Sequence, residues 1–209
     1  MRRLLLALGL LLLVPVSHAN AVWDDSTLNA ILKRGELRVG LETGYMPFEM
    51  RTKSGDVIGF DVDIAKQMAR AMGVELTIVN TAWDGIIPAL LTNKFDILMS
   101  GMTITPERNL QVNFTDPYLV IGQSVLIRSA LEGTIKSYRD LNSDDYTIVT
   151  KLGTTGEIAA RRYLSRAKIL TFESESEAAL EVRNNRADAF VYDFPYNAIF
   201  VGQNPDGIA

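Results

Sequence analysis

Strand-like runs and amphipathic helical stretches alternate along this chain, and that alternation confines the fold to parallel βαβ units. Asp24–Arg34 reads as a short helix with Leu28, Ile31 and Leu32 on one face and Gly35 as its stop, and Glu36–Leu41 follows as a strand. A hairpin is expected to turn at Lys53-Ser-Gly-Asp56. Asp61–Met72 is the clearest helix: Ala65, Met68, Ala69 and Met72 share a face, Asp61 is placed to cap it, and Gly73 ends it. Glu75–Val79 reads as a strand, Trp83–Thr92 as a helix that Pro88 bends or restarts, and Asp96–Met99 as the next strand. Ile121–Arg128 is a further strand, after which Ser129–Asp145 turns polar. A second series follows: strand Thr147–Val149, helix Glu157–Leu164, strand Ile169–Phe172, a helix opened by the capping pattern Ser174-Glu-Ser-Glu177, and strand Ala187–Val191. In open sheets of this kind ligands bind beyond the carboxyl ends of the strands.

The first residues have the form of a cleavable export signal. Met1-Arg2-Arg3 is basic, Leu4–Val16 is apolar, and Ser17–Ala21 supplies small residues for cleavage. The mature chain is expected to begin near Asn20 or Val22 and to work outside the cytoplasm. The absence of cysteine excludes disulfides, thiolate metal sites, a cysteine nucleophile and a lipidated cysteine anchor. The one histidine, His18, falls inside the signal, which excludes histidine triads and histidine metal sites from the mature chain. A net charge of -4 with no basic, aromatic-rich patch speaks against nucleic acid. The remaining chain, roughly 190 residues, suffices for one large or two small domains. Its end, Asn204–Ala209, reads as a turn with no closing helix or strand, as in a fragment.

Three loops past strand ends carry matched chemistry. Ser100–Arg108 follows an apolar strand and supplies Gly101, the hydroxyls of Thr103 and Thr105, a Thr105-Pro106 helix start, and Arg108 in the first helical turn. A cation there opposes the helix dipole, so an ordinary structural role gains nothing from it. Its planar fork of donors suits a carboxylate. Gly153-Thr154-Thr155-Gly156 opens a second helix, whose free N–H groups suit the same anion. Asp193 offers a carboxylate for an ammonium group, and Tyr45 and Trp83 are flat walls at the same edge. A lone Arg after a turn is commonly just solvated, and aromatics are commonly core. Taken together, the set suits an α-amino acid.

The chain resembles the periplasmic amino-acid-binding proteins of ABC importers, solute-binding family 3. The motifs that carry the likeness are Gly44-Tyr-Met-Pro-Phe48, Gly59-Phe-Asp-Val-Asp63, Ile87-Pro-Ala-Leu90, Asp96–Arg108, Phe114-Thr-Asp-Pro-Tyr118, Gly153-Thr-Thr155 and Arg186-Ala-Asp-Ala189. The resemblance implies a two-lobed α/β periplasmic-binding-protein type II fold that closes on its ligand. It implies residues 1–21 as signal peptide, 22–128 as the first lobe and 129–209 as a second lobe, the C-terminal return to the first lobe being missing from this sequence. Arg108 would clamp the carboxylate with backbone at Thr103 and Thr155, and Thr154 of the same loop is a further candidate contact. Asp193 would take the ammonium with the Thr103 hydroxyl and main chain at Ser100 and Gly101. Tyr45 and Trp83 would pack on the ligand side chain, and Glu42 would favour a polar or basic one. The implied partners are a free L-amino acid and ABC permease subunits. A monomer without cofactor, metal, nucleic acid or lipid anchor is expected. Some dehydratases share the pattern and use an acid matching Glu157 as proton donor, so a cyclohexadienyl or arogenate-type dehydratase is the alternative.

Overall fold

The computed structural model describes residues 26–209. The export signal and the first two residues of the first expected helix lie outside them. Helix α1 (Thr27–Arg34) is capped by Ser26, whose hydroxyl accepts the Asn29 N–H at 3.1 Å, and ends at Gly35 with φ 75°. Only Ile31 of its expected apolar face is buried; Leu28 and Leu32 are 51% and 45% exposed.

Strand β1 (Glu36–Leu41) leads through the hairpin β2 (Met50–Arg51) and β3 (Val57–Ile58) to α2 (Phe60–Met72), β4 (Glu75–Asn80), a 3-10 turn (Trp83–Gly85), α3 (Ile86–Leu91), β5 (Ile97–Leu98) and the single-turn α4 (Pro106–Asn109). The first sheet runs β4-β1-β5, with both neighbours parallel to β1. Leu37, Val39, Ala65 and Ala69 pack with Ile31 into one apolar cluster, and Ile86, Ala89 and Phe95 form another. Phe95 crosses so close to β1 that a Cβ at residue 40 would lie 2.3 Å from its ring, which reserves that position for Gly40.

Two expectations need correction here. Asp61 does not cap α2: the helix starts at Phe60 after Gly59, and Asp61 is fully buried, accepting hydrogen bonds from the Gly101 N–H and the Tyr118 hydroxyl. A short acid in a first helical turn looks like a cap until its tertiary donors are known. Pro88 neither bends nor restarts the helix. It lies in the first turn of α3, where its missing N–H costs no helical bond, and the break comes earlier, at Gly85.

The second sheet has the order β6-β9-β7-β8, from β6 (Gln123–Ile127), β7 (Thr147–Lys151), β8 (Lys168–Phe172) and β9 (Ala189–Asp193). β7 is parallel to β8 and β9, whereas β6 runs antiparallel to β9. Helices α5 (Thr155–Tyr163) and α6 (Glu175–Arg183) make the crossovers. β6 precedes the division drawn after residue 128 yet pairs within the second sheet; its partner, β9, lies far along the chain, out of reach of local pattern.

The last helix, α7 (Phe194–Gln203), was not expected. Phe-Pro-Tyr-Asn-Ala-Ile-Phe-Val carries no clear helical period, and Pro195 resembles a turn signal, although it sits in the first turn where a helix tolerates it. The chain end also closes on the sheet: Ile208 is buried and bridges Arg128, and Ile127 and Ala209 exchange backbone hydrogen bonds at 2.9 Å. A single bridge leaves no periodic trace in sequence.

Candidate functional site

The carboxyl ends of strands from both sheets point toward one cleft. Glu42 follows β1, Trp83 follows β4, and Ser100–Thr103 follow β5. Thr105 caps α4 and accepts the Arg108 N–H at 3.3 Å, fixing the base of that side chain. From the other sheet, Thr154 and Thr155 begin α5 after β7, and Asp193 ends β9. One cavity brings together Glu42, Tyr45, Trp83, Ser100, Gly101, Thr103, Arg108, Thr154, Thr155 and Asp193, and adds Lys151 and Tyr192. A larger cavity of about 250 Å³ lies beside it, but its walls are mainly apolar and Asp116 is their one charged residue. Converging charges make the smaller cavity the candidate site.

The guanidinium of Arg108 donates to the Thr103 carbonyl at 2.8 Å and, across the cleft, to the Gly153 carbonyl at 3.1 Å. It lies 5.3 Å from the centre of the Trp83 ring, a favourable cation–π distance. Trp83 donates its indole N–H to the same Gly153 oxygen at 3.1 Å, and its backbone N–H to Glu42 at 3.2 Å. Burial lowers the pKa of Arg108, with Asp193 and Glu107 opposing the shift, and the guanidinium keeps its charge.

Asp193 accepts the Tyr45 hydroxyl at 2.5 Å and the amide of Gln123, which also donates to the Thr155 hydroxyl at 3.2 Å. Burial raises the carboxyl's pKa, while Tyr45, Gln123 and Arg108 pull it back. Burial and Asp193 together raise the Tyr45 phenol, which stays a donor. The hydroxyls of Thr103 and Thr155 meet across the cleft at 3.5 Å. Lys151 ends β7 with its ammonium paired to Glu175 at 2.6 Å and to Glu42. Glu157 accepts the Gly153 N–H at 2.7 Å and pairs with Arg161 at 2.8 Å, so both its oxygens are engaged at the helix start.

Behind the Ser100–Gly101 turn lies a buried pair of carboxyls. Glu49 accepts the Ser100 hydroxyl at 2.5 Å, and that hydroxyl receives the Glu42 N–H at 3.1 Å. Asp61 accepts the Gly101 N–H and the Tyr118 hydroxyl, each at 2.9 Å. The remaining oxygens, Glu49 Oε2 and Asp61 Oδ1, have no donor if both groups are ionised. Burial, then the Asp61 charge, pushes Glu49 up to about 9, and a proton on Glu49 supplies the missing donor. Among the described residues no cluster of His, Cys, Asp and Glu suits a metal ion.

Sequence reasoning missed Lys151 and Gln123. Lys151 lies two residues before Gly153, but β7 is expected to end at Val149 and nothing local links the lysine to the cleft.

The sheets and their shared charged cleft define a protein of the periplasmic-binding-protein type. The chain belongs to the bacterial extracellular solute-binding proteins, family 3, whose family model matches residues 37–197. It is 31% identical to the L-cystine-binding protein TcyJ of Escherichia coli (strain K12) over 192 residues, covering 92% of this chain and 71% of that protein. It is 32% identical, over the same shares, to a cyclohexadienyl dehydratase of Pseudomonas aeruginosa. Among solved structures it is similar to a binding component of an ABC transporter from Wolinella succinogenes complexed with lysine, with 55% identity, a TM-score of 0.81, and coverage of 84% of this chain and 76% of that one. No helix among the described residues is long and apolar enough to cross a membrane.

Proposed function

We propose that this protein is an exported, periplasmic receptor that closes two lobes on a polar or basic L-amino acid and delivers it to the permease of an ABC transporter. The first lobe is built on β1, β4 and β5 and the second on β6 to β9. The observation that carries the reading is the meeting of Arg108 and Asp193, from opposite sheets, in one cavity walled by Tyr45 and Trp83. Arg108 and the start of α5 offer donors to a carboxylate, and Asp193 offers an acceptor to an ammonium group. Glu42 adds negative charge for a polar or cationic side chain. The lysine held by the Wolinella relative is consistent with that polarity. A permease distinguishes the loaded from the empty form by lobe closure.

The dehydratase-like relative raises a second reading, in which Glu157 donates a proton. The two contacts of Glu157, to the Gly153 N–H and Arg161, favour a helix-start role instead, and it does not line the cavity.

A thermal-shift screen of the twenty amino acids separates the readings. Stabilisation by a few polar or basic L-amino acids is expected, rising with concentration as binding to the folded state requires. Silence toward all twenty, with turnover of a cyclohexadienyl acid that Glu157→Gln abolishes, would establish the enzyme instead.

A further inference from the structure

Lys151 and Glu175 are almost wholly enclosed, with side chains 2% and 3% exposed, whereas Glu42 is 21% exposed on the cavity wall. The Lys151 ammonium is shared between Glu175, at 2.6 Å in its own half, and Glu42, in the opposite half. It lies 5.9 Å from the centre of the Trp83 ring. Glu175 is hemmed in from the first half, since a Cβ at Gly44 would come within 2.5 Å of its Oε1. Two carboxylates therefore face one ammonium, which leaves one negative charge in excess beside the cavity.

We propose that Lys151 is an internal counter-cation, which occupies Glu42 until the cationic side chain of a bound amino acid takes its place. The proposal rests on the reading of the cleft as an amino-acid site. In the exchange Lys151 keeps Glu175, so no enclosed charge is left alone, which would be costly. Glu42 trades one cation for another, and the four groups sum to zero. A neutral side chain brings no replacement, and Lys151 stays where it is. Every basic ligand must compete with a tethered rival, so its apparent affinity falls with the fraction of the receptor in which Glu42 is already taken. Lys151, as much as Glu42, then sets how basic and neutral ligands rank.

Two variants move that ranking in opposite directions. Lys151→Met/Glu175→Met removes the rival together with its enclosed partner and leaves the net charge at Glu42 unchanged. In calorimetric titrations it is expected to bind L-arginine about tenfold more tightly than the wild type and to favour it more strongly over L-glutamine. Glu175→Gln leaves Lys151 with Glu42 as its one carboxylate and is expected to weaken L-arginine binding by about tenfold. Unchanged or weaker L-arginine binding in the double variant, or unchanged binding in Glu175→Gln, overturns the role of Lys151. If the double variant does not fold, Glu175→Gln decides alone. A wild-type protein that binds no amino acid overturns the receptor reading as well, so the two failures are told apart.

Discussion

Glu49 and Asp61 line no part of the cavity, yet they hold the turn that does. Through Ser100 and Gly101 their oxygens fix the main chain beside Glu42 and Thr103. Their enclosure has a pH signature. Glu49 titrates near 4.5 when unfolded and is pushed up to about 9 in the fold, so between those values the folded chain holds a proton that the unfolded chain has lost. The associated stability is fully present below the lower value and is lost as pH rises through the upper one. The melting temperature is expected to fall from about pH 6 to about pH 10, and Glu49→Gln, which cannot ionise, should flatten that fall. An identical pH profile in the variant would remove the pair from the explanation. At this scale the sequence was only half legible. Arg108 and Asp193 could be found because each stands beside local marks, a capped helix start and a strand end. Lys151 could not, because its partner Glu42 lies 109 positions away and no local pattern reports such a pairing.

Elements declared themselves where they carry chemical punctuation. Ser26, Thr105, Thr154 and Ser174 all cap helices through their hydroxyls, and Thr105 and Ser174 stand where the sequence places a cap. α7 has no side-chain cap and β5 shrinks to two residues, so neither could be bounded from sequence. The cap at Thr154 does double duty, accepting the Glu157 N–H at 3.4 Å and donating to the Lys151 carbonyl at 2.8 Å. Thr154→Ala should lower unfolding stability in urea by about 1 kcal/mol, and Thr154→Ser should restore most of it. Equal midpoints for all three proteins would show that α5 does not depend on this cap.

Over the whole molecule, Arg108 is one of the residues that bond across both halves. It is planted on α4 of the first and bonded to Gly153 of the second. In the proposed receptor its guanidinium turns to the ligand's carboxylate, where a charge-assisted hydrogen bond contributes about 1.5–3 kcal/mol. Arg108→Ala is therefore expected to weaken amino-acid binding at least about tenfold by calorimetry, the effect of about 1.4 kcal/mol. Undiminished affinity would mean that the carboxylate is held elsewhere. The parallel βαβ character of both halves was legible because hydrophobic period and glycine stops recur. The allegiance of β6 was not, since only β9 settles it.

The Gly153 oxygen has a consequence for how fast a solute can be seized. A carbonyl has two lone pairs, and here Arg108 and the Trp83 indole take one each. A bare guanidinium facing water would have to shed its hydration shell while the solute waits at the entrance. This one has already shed much of that shell during folding and is moored to a neutral acceptor. In the proposed receptor an arriving carboxylate needs only to outbid a peptide oxygen, while the indole stays behind to keep that oxygen satisfied.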